Sequence, residues 1–167
     1  MSNRILVTYA GRTGSTAEVA KIISELLTSR GFVVDLKPAK EKPSVEGHRA
    51  VVLGSAIRMG GWLPEMIEFI RTNQIALNQT PTAIFTVHMF NTGMDPASRA
   101  ARKAYTLPVR KMLTPVDEAF FAGKMDPAKL SLADRVLSRL VTMDTGQKVG
   151  DFRDWDQIRG WAETIFS

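Results

Sequence analysis

Two hydrophobic periods take turns along this chain. Short runs rich in branched and aromatic residues, at 4–9, 32–36, 50–55, 82–88 and 116–122, have the length and composition of strands. Between them lie longer stretches with an apolar residue every three or four positions. Val19, Ile22, Ile23, Leu26 and Leu27 mark a helix over 14–30, closed by Gly31. Met66, Ile67, Phe69 and Ile70 mark another over 63–75, opened by Pro64. A third covers 97–107, where Pro108 should kink or end it. The last covers 155–166, with Trp155, Ile158, Trp161, Ala162 and Ile165 on one packing face. Residues 38–48 are polar and contain prolines, so they read as a loop or at most one helical turn.

Alternating strands and helices predict an α/β, doubly wound fold: five strands, mostly parallel, with helices on both faces. The continuous apolar run at 50–53 suits a strand buried on both sides. The 167 residues are read as one domain, 1–167, without repeats or low-complexity tracts. In such sheets, ligands sit beyond the carboxyl ends of the strands. Residues 123–154 are surplus to a minimal five-strand domain. Leu130, Leu132, Val136, Leu137, Leu140 and Val141 are spaced as one face of a helix, with Arg135 and Arg139 opposite and Ser131 and Asp134 as its start signal. This extra helix, between the fifth strand and the last helix, is expected to pack on the domain, with a membrane-surface or dimer role as the alternative.

Composition narrows the chemistry. At 44% hydrophobic and 23% charged, the chain resembles an ordinary globular protein. It has no cysteine, which excludes disulfides, thiol nucleophiles and cysteine-metal sites, and no metal site is expected. With no span-length apolar run and no signal-peptide pattern, a cytoplasmic location is expected. The net charge is +5, and residues 96–116 hold five basic side chains (Arg99, Arg102, Lys103, Arg110, Lys111) and no acidic one. That segment points to an anionic partner or is simply a solvated helix face. Nucleic acid is disfavoured, because only Tyr105 interleaves the basic positions.

The first strand runs directly into Gly11-Arg12-Thr13-Gly14-Ser15-Thr16 and a helix. A small-residue loop at a helix N-terminus is an anion site, since unpaired N–H groups converge there. The loop lacks the lysine of a Walker phosphate loop, and Gly11 and Gly14 lack the spacing of a dinucleotide fingerprint. A phosphoacceptor domain would need carboxylates after the first and third strands, and none stand there. Hydroxyls and amides without lysine suit a terminal monophosphate held by hydrogen bonds. Alternatively, Ser15 and Glu18 form a capping pair, which leaves Thr13 and Thr16 unexplained.

Tyr9, Gly14, Thr16 and Ala20 fall in order on the phosphate-loop pattern of the flavodoxin-like family, which this chain resembles. Gly11 stands where that pattern usually has serine or threonine. Gly-Ser-Ala-Ile-Arg-Met-Gly at 54–60 and the stretch 151–155 are more similar to the protoporphyrinogen IX dehydrogenase subgroup. The resemblance implies strand order 2-1-3-4-5 and FMN as cofactor. It implies that Gly11, Arg12, Thr13, Gly14, Ser15 and Thr16 hold the phosphate. Ser55, Ala56, Ile57, Arg58, Met59 and Gly60 would flank the flavin ring on one side, and Val87, His88, Met89, Phe90 and Asn91 on the other. Trp62, Met59 or Phe90 could stack on the ring. No catalytic residue is fixed; Arg58 and His88 are candidates, for an anionic group and for proton transfer. His48 is assigned no role. The implied reaction is oxidation of a porphyrinogen, in haem biosynthesis, with electrons passed to a quinone or another acceptor, and a possible peripheral contact with anionic membrane. Alternatives on the same fold are a flavodoxin-type electron carrier and an FMN-dependent quinone reductase; the +5 charge argues against the usual acidic carrier. Oligomeric state is left open.

Overall fold

The computed structural model describes residues 2–125 and 150–167. The helix expected within 123–154 lies outside the described residues, apart from the ends of that segment. Along the chain come β1 (Arg4–Ala10), α1 (Ser15–Ser29), β2 (Val33–Pro38), a 3-10 turn (Ala39–Glu41), β3 (Ala50–Arg58), β4 (Gly61–Trp62), α2 (Pro64–Thr72) and α3 (Gln74–Asn78). Then follow β5 (Thr82–His88), α4 (Pro96–Tyr105), α5 (Leu107–Met112), β6 (Asp117–Ala122), β7 (Lys124–Met125), β8 (Gly150–Asp151) and a final helix, α6 (Trp155–Thr164).

Five parallel strands form the sheet in the order β2-β1-β3-β5-β6, the expected order once β4, a two-residue addition, enters the numbering. Side chains of β1 alternate between two cores. Ile5 and Val7 pack with Val19, Ala20, Ile23 and Leu27 of α1 and Ile158 and Ala162 of α6. Leu6 and Ala10 pack on the other side with Met66, Phe69 and Ile70 of α2 and Val109 of α5. Both faces are covered, so the inner strands are largely apolar, with Thr8, Ser55, Thr82, Thr86 and His88 as buried polar members.

Several boundaries differ from the sequence expectation. The third strand continues to Arg58 and folds back, Ile57 pairing with Trp62 and Arg58 with Gly61. The helix expected over 63–75 stops at Thr72 and a separate α3 follows. Asn73 ends α2, donating from its N–H and its side-chain amide to the Phe69 carbonyl. Before Pro108 the chain breaks as expected, and Pro108 opens α5. Trp62 is buried, and its indole N–H donates to the Thr86 hydroxyl at 2.9 Å, so it is a core anchor rather than a ring-stacking surface. Trp155 and Trp161 pack against the α1–α6 core as expected.

Gly54 faces Phe85 on the neighbouring strand, and the Phe85 ring fills the space a side chain at 54 would need. That ring also packs edge-on against Trp161 and tilted against Phe121. One glycine thus admits an aromatic cluster into the middle of the sheet.

A second fixture joins the two ends of the described chain. β7 and β8 pair as an antiparallel ribbon directly after β6, so the surplus segment leaves and rejoins the fold at the carboxyl edge of the sheet. Arg153, just past the ribbon, has its side chain almost wholly buried. It forks onto Asp151 (2.9 and 2.7 Å), pairs with Glu18 in the first turn of α1 and stacks over the Trp155 ring at 4.6 Å. The Arg153 guanidinium draws the Asp151 carboxyl down from 3.8 to about 2.

Gly54→Ala should destabilise the fold by about 3 kcal/mol, the upper range for overpacking a tight core, measured by denaturant unfolding. Because Asp151 titrates lower when folded, its contribution is complete above pH 3.8 and is lost as pH falls toward about 2. Arg153→Met should therefore show a flatter loss of stability over that interval in acid titration of the unfolding midpoint.

Candidate functional site

Four connections gather at the carboxyl edge: the loop after β1, the β3–β4 hairpin, the loop after β5 and the start of the β7–β8 ribbon. The chain runs from β1 outward to β2 and then returns to β3, so the topological switch lies between β1 and β3, beside the first loop.

Gly14 at φ +90 makes the turn into α1 without a side-chain cap, so the Ser15–Glu18 capping pair is not formed. Glu18 is engaged by Arg153 instead. Ser15 and Thr16 are buried in the first turn, and the Thr16 hydroxyl, at 1% residue exposure, has no hydrogen-bond partner among the described residues, as is also true of the Thr8 hydroxyl within β1. A buried hydroxyl in that condition costs roughly 1–3 kcal/mol. The Thr16 side chain stands where a side chain at position 11 would go, with a Cβ there only 2.9 Å from Thr16 Cβ. Gly11 is thus the residue that this packing admits, which accounts for its departure from serine or threonine. Thr13 is half-buried beside them.

Arg12 points to the other flank of the loop. Its guanidinium forks onto Glu65 in the first turn of α2, at 2.5 and 2.9 Å, and holds the Glu65 carboxyl below its usual range. Both line a cavity of about 580 Å³ with Tyr9, Ala10, Gly11, Pro38, Lys40 and Glu41.

Met59 and Gly60 form the tip of the β3–β4 hairpin, both left-handed, at φ +56 and +78. Consecutive positive φ values are the geometry of a tight two-residue hairpin. For methionine that conformation is strained, and here it leaves a side chain 84% exposed. The hairpin's base is locked from below. The Ser55 hydroxyl accepts the Leu63 N–H at 3.0 Å and donates to the Ala56 carbonyl at 2.8 Å. Ser55 is fully buried, and Ala56 and Ile57 are half-buried against the α2 core; Arg58, Met59 and Gly60 reach the surface.

His88 ends β5 almost fully buried, packed against Tyr105 and Phe120. Its Nδ1 lies 2.8 Å from the Phe90 carbonyl, which only accepts, so Nδ1 carries the proton and Nε2 keeps its lone pair. Burial lowers the His88 pKa, and the ring is neutral near pH 7. Val87 points into the core, while Met89, Phe90 and Asn91 open outward, Asn91 at φ +61.

The edge therefore brings together Thr16, Thr13, the hairpin tip, His88 and the 89–91 loop as the connections of adjacent strands. His48 lies elsewhere, at 2.7 Å from Asp35 on β2, which also binds Arg4. Sequence reading did not single out Arg153, Glu65, Arg102 or Tyr105 as individual supports of these loops. Helix spacing was the available signal for the last pair, since both lie three apart on α4 and face back over the loop before it.

Among the described residues no group of His, Asp and Glu could hold a metal ion, and no helix is long and apolar enough to cross a membrane. The chain is similar over 97% of its length to the protoporphyrinogen IX dehydrogenase [quinone] of Escherichia coli strain K12, at 24% identity and covering 94% of that protein. Its fold is similar to rubredoxin:oxygen oxidoreductase from Desulfovibrio gigas (TM-score 0.56, 17% identity), where 98% of this chain spans only 35% of that one. It is also similar to a point mutant of a Fusobacterium nucleatum flavodoxin bound to flavin mononucleotide (TM-score 0.50, 15% identity, 68% of this chain and 67% of that one). The family model described as a flavodoxin domain matches residues 6–150, and the chain belongs to that family.

Proposed function

We propose that the chain binds FMN at its carboxyl edge and is an oxidoreductase of the protoporphyrinogen IX dehydrogenase type. The observation that carries the cofactor assignment is the Thr16 hydroxyl, buried at the N-terminal turn of α1 with no partner among the described residues. A phosphate there would accept that hydroxyl proton together with those of Thr13 and Ser15 and the N–H groups of the first turn. Gly11 lets Thr16 fill the loop, and Gly14 supplies the left-handed turn into the helix. The hairpin tip (Arg58, Met59, Gly60) and the 89–91 loop would border the ring, with Ser55, Ala56, Ile57 and Val87 supporting them from inside. Arg12 pairs with Glu65, so its charge is offset on that flank and it would hold the loop's shape rather than the phosphate.

When bound, FMN supplies the chemistry of accepting a hydride equivalent from a reduced tetrapyrrole; the protein supplies orientation and electrostatics. Arg58, exposed on the hairpin, would meet a substrate carboxylate. His88, neutral with its Nε2 lone pair available, is the candidate proton acceptor. Arg99, Lys103 and Lys111, exposed on α4 and α5, support an anionic substrate or an anionic membrane surface as partner. The relative named protoporphyrinogen IX dehydrogenase, matched along nearly its whole length, supports this substrate over an electron carrier's role.

Two experiments test the reading. Thr16→Val removes an unsatisfied hydroxyl, so the apoprotein should melt at the same or a higher temperature while FMN binds about 1–3 kcal/mol more weakly. Equal FMN affinity in the variant would contradict the phosphate assignment. Anaerobic mixing of FMN-loaded protein with protoporphyrinogen should bleach the flavin absorbance. Unbleached flavin that a ferredoxin reductase reduces rapidly would replace the enzyme reading with the carrier one.

A further inference from the structure

The loop that leaves β5 is shaped from behind by α4. Asp95 caps this helix, its carboxylate accepting the Ser98 N–H at 3.0 Å and the Ser98 hydroxyl at 2.7 Å. Helical side chains lean toward the N-terminus, so Arg102 and Tyr105 both reach back over residues 91–93. The Tyr105 hydroxyl accepts from Asn91 Nδ2 at 2.7 Å. A single guanidinium nitrogen of Arg102 donates to the carbonyls of Asn91 and Gly93, each at 2.6 Å. These bonds hold Asn91 in its left-handed conformation and fix the turn beyond His88.

Arg102 differs from the other basic residues of its segment. Arg110 is paired with Glu118 and so brings no net charge to the surface. The partners of Arg102 described above are carbonyls, which anchor a guanidinium without cancelling it. Its charge reaches the strand end: it helps keep His88 neutral, in the same direction as burial, while the Phe90 carbonyl opposes both. It also adds a minor part to the lowered pKa of Asp95, whose main cause is Ser98. An immobile positive charge therefore stands behind the loop that the flavin reading sets against the ring.

We propose that Arg102 is a positioning residue of the flavin site that fixes the 89–93 loop and, by its positive charge, favours the reduced anionic cofactor over the oxidised one. The assignment rests on the FMN reading and goes beyond it, since the sequence offered Arg58, and not Arg102, as the cation for an anionic group. Arginine suits the task because one guanidinium nitrogen carries two N–H donors for the two carbonyls and its charge persists at any working pH.

The test is FMN affinity in both redox states, from titration and potentiometry, for wild type, Arg102→Gln, Arg102→Lys and Tyr105→Phe. Arg102→Gln should weaken oxidised FMN about as much as Tyr105→Phe does and reduced FMN about tenfold further, a fall of about 30 mV for a two-electron couple. Arg102→Lys should recover most of the reduced-state affinity. Tyr105→Phe loosens the same loop without altering charge, so it should weaken both states alike. An unchanged oxidised-to-reduced ratio in Arg102→Gln, with wild type binding FMN normally, would overturn this assignment alone. The same shift in Tyr105→Phe as in Arg102→Gln would overturn the electrostatic part. Failure of the wild type to bind FMN would overturn the flavin reading and this inference together.

Discussion

A threonine buried without a partner at the start of α1 is the constraint around which the functional edge is arranged. Protein interiors rarely leave a hydroxyl unsatisfied, because the lost water bond is not recovered. Here the Thr16 side chain is retained at the cost of any side chain at position 11, and the first helical turn leaves Ser15 buried beside it. The arrangement makes physical sense for a loop completed by an anion. The fold's stability must then come from elsewhere, and it does: from two apolar cores on either side of β1, and from the Phe85 ring seated over Gly54.

The remaining edge loops solve a different problem, which is how to expose irregular backbone and still hold it still. Each is tied internally. Ser55 and Thr86 hydroxyls pin the β3–β4 hairpin through Leu63 and Trp62. Arg102 and Tyr105 pin the loop after β5. Arg153 ties the β7–β8 ribbon to the first turn of α1. The hairpin anchors are buried hydroxyls and the Arg153 side chain is nearly buried, while the bonds of Arg102 lie at the surface. What reaches solvent is Arg12 and Gly14 in the first loop, Arg58, Met59 and Gly60 at the hairpin tip, and residues 91–97 after β5.

Much of this was legible in the sequence because it follows from periodicity. Alternation of strands and helices gave the layered sheet, and Gly31 and Pro108 marked boundaries that the structure keeps. The phosphate loop was legible as a chemical type, hydroxyls and amides without lysine. Less legible was anything decided across the sheet. The extension of β3 to Arg58 depends on pairing with residues that follow it, and Gly60-Gly61 marks a turn whether or not its flanks pair. Trp62 offered no local sign that Thr86, on another strand, would claim its N–H. Arg102 was read as one charge among five, since sequence spacing shows a helix face but not which carbonyls lie across from it. Gly54 carried no signal at all until Phe85 was placed opposite.

The account depends most on a phosphoryl group completing the first loop. Calorimetric titration of the apoprotein with FMN and, separately, with riboflavin isolates that contribution, because the two ligands differ only in the phosphate. The account predicts that FMN binds at least about a hundredfold more tightly, as expected for several hydrogen bonds to a charged group. Equal affinities, or no binding of either ligand, would contradict it.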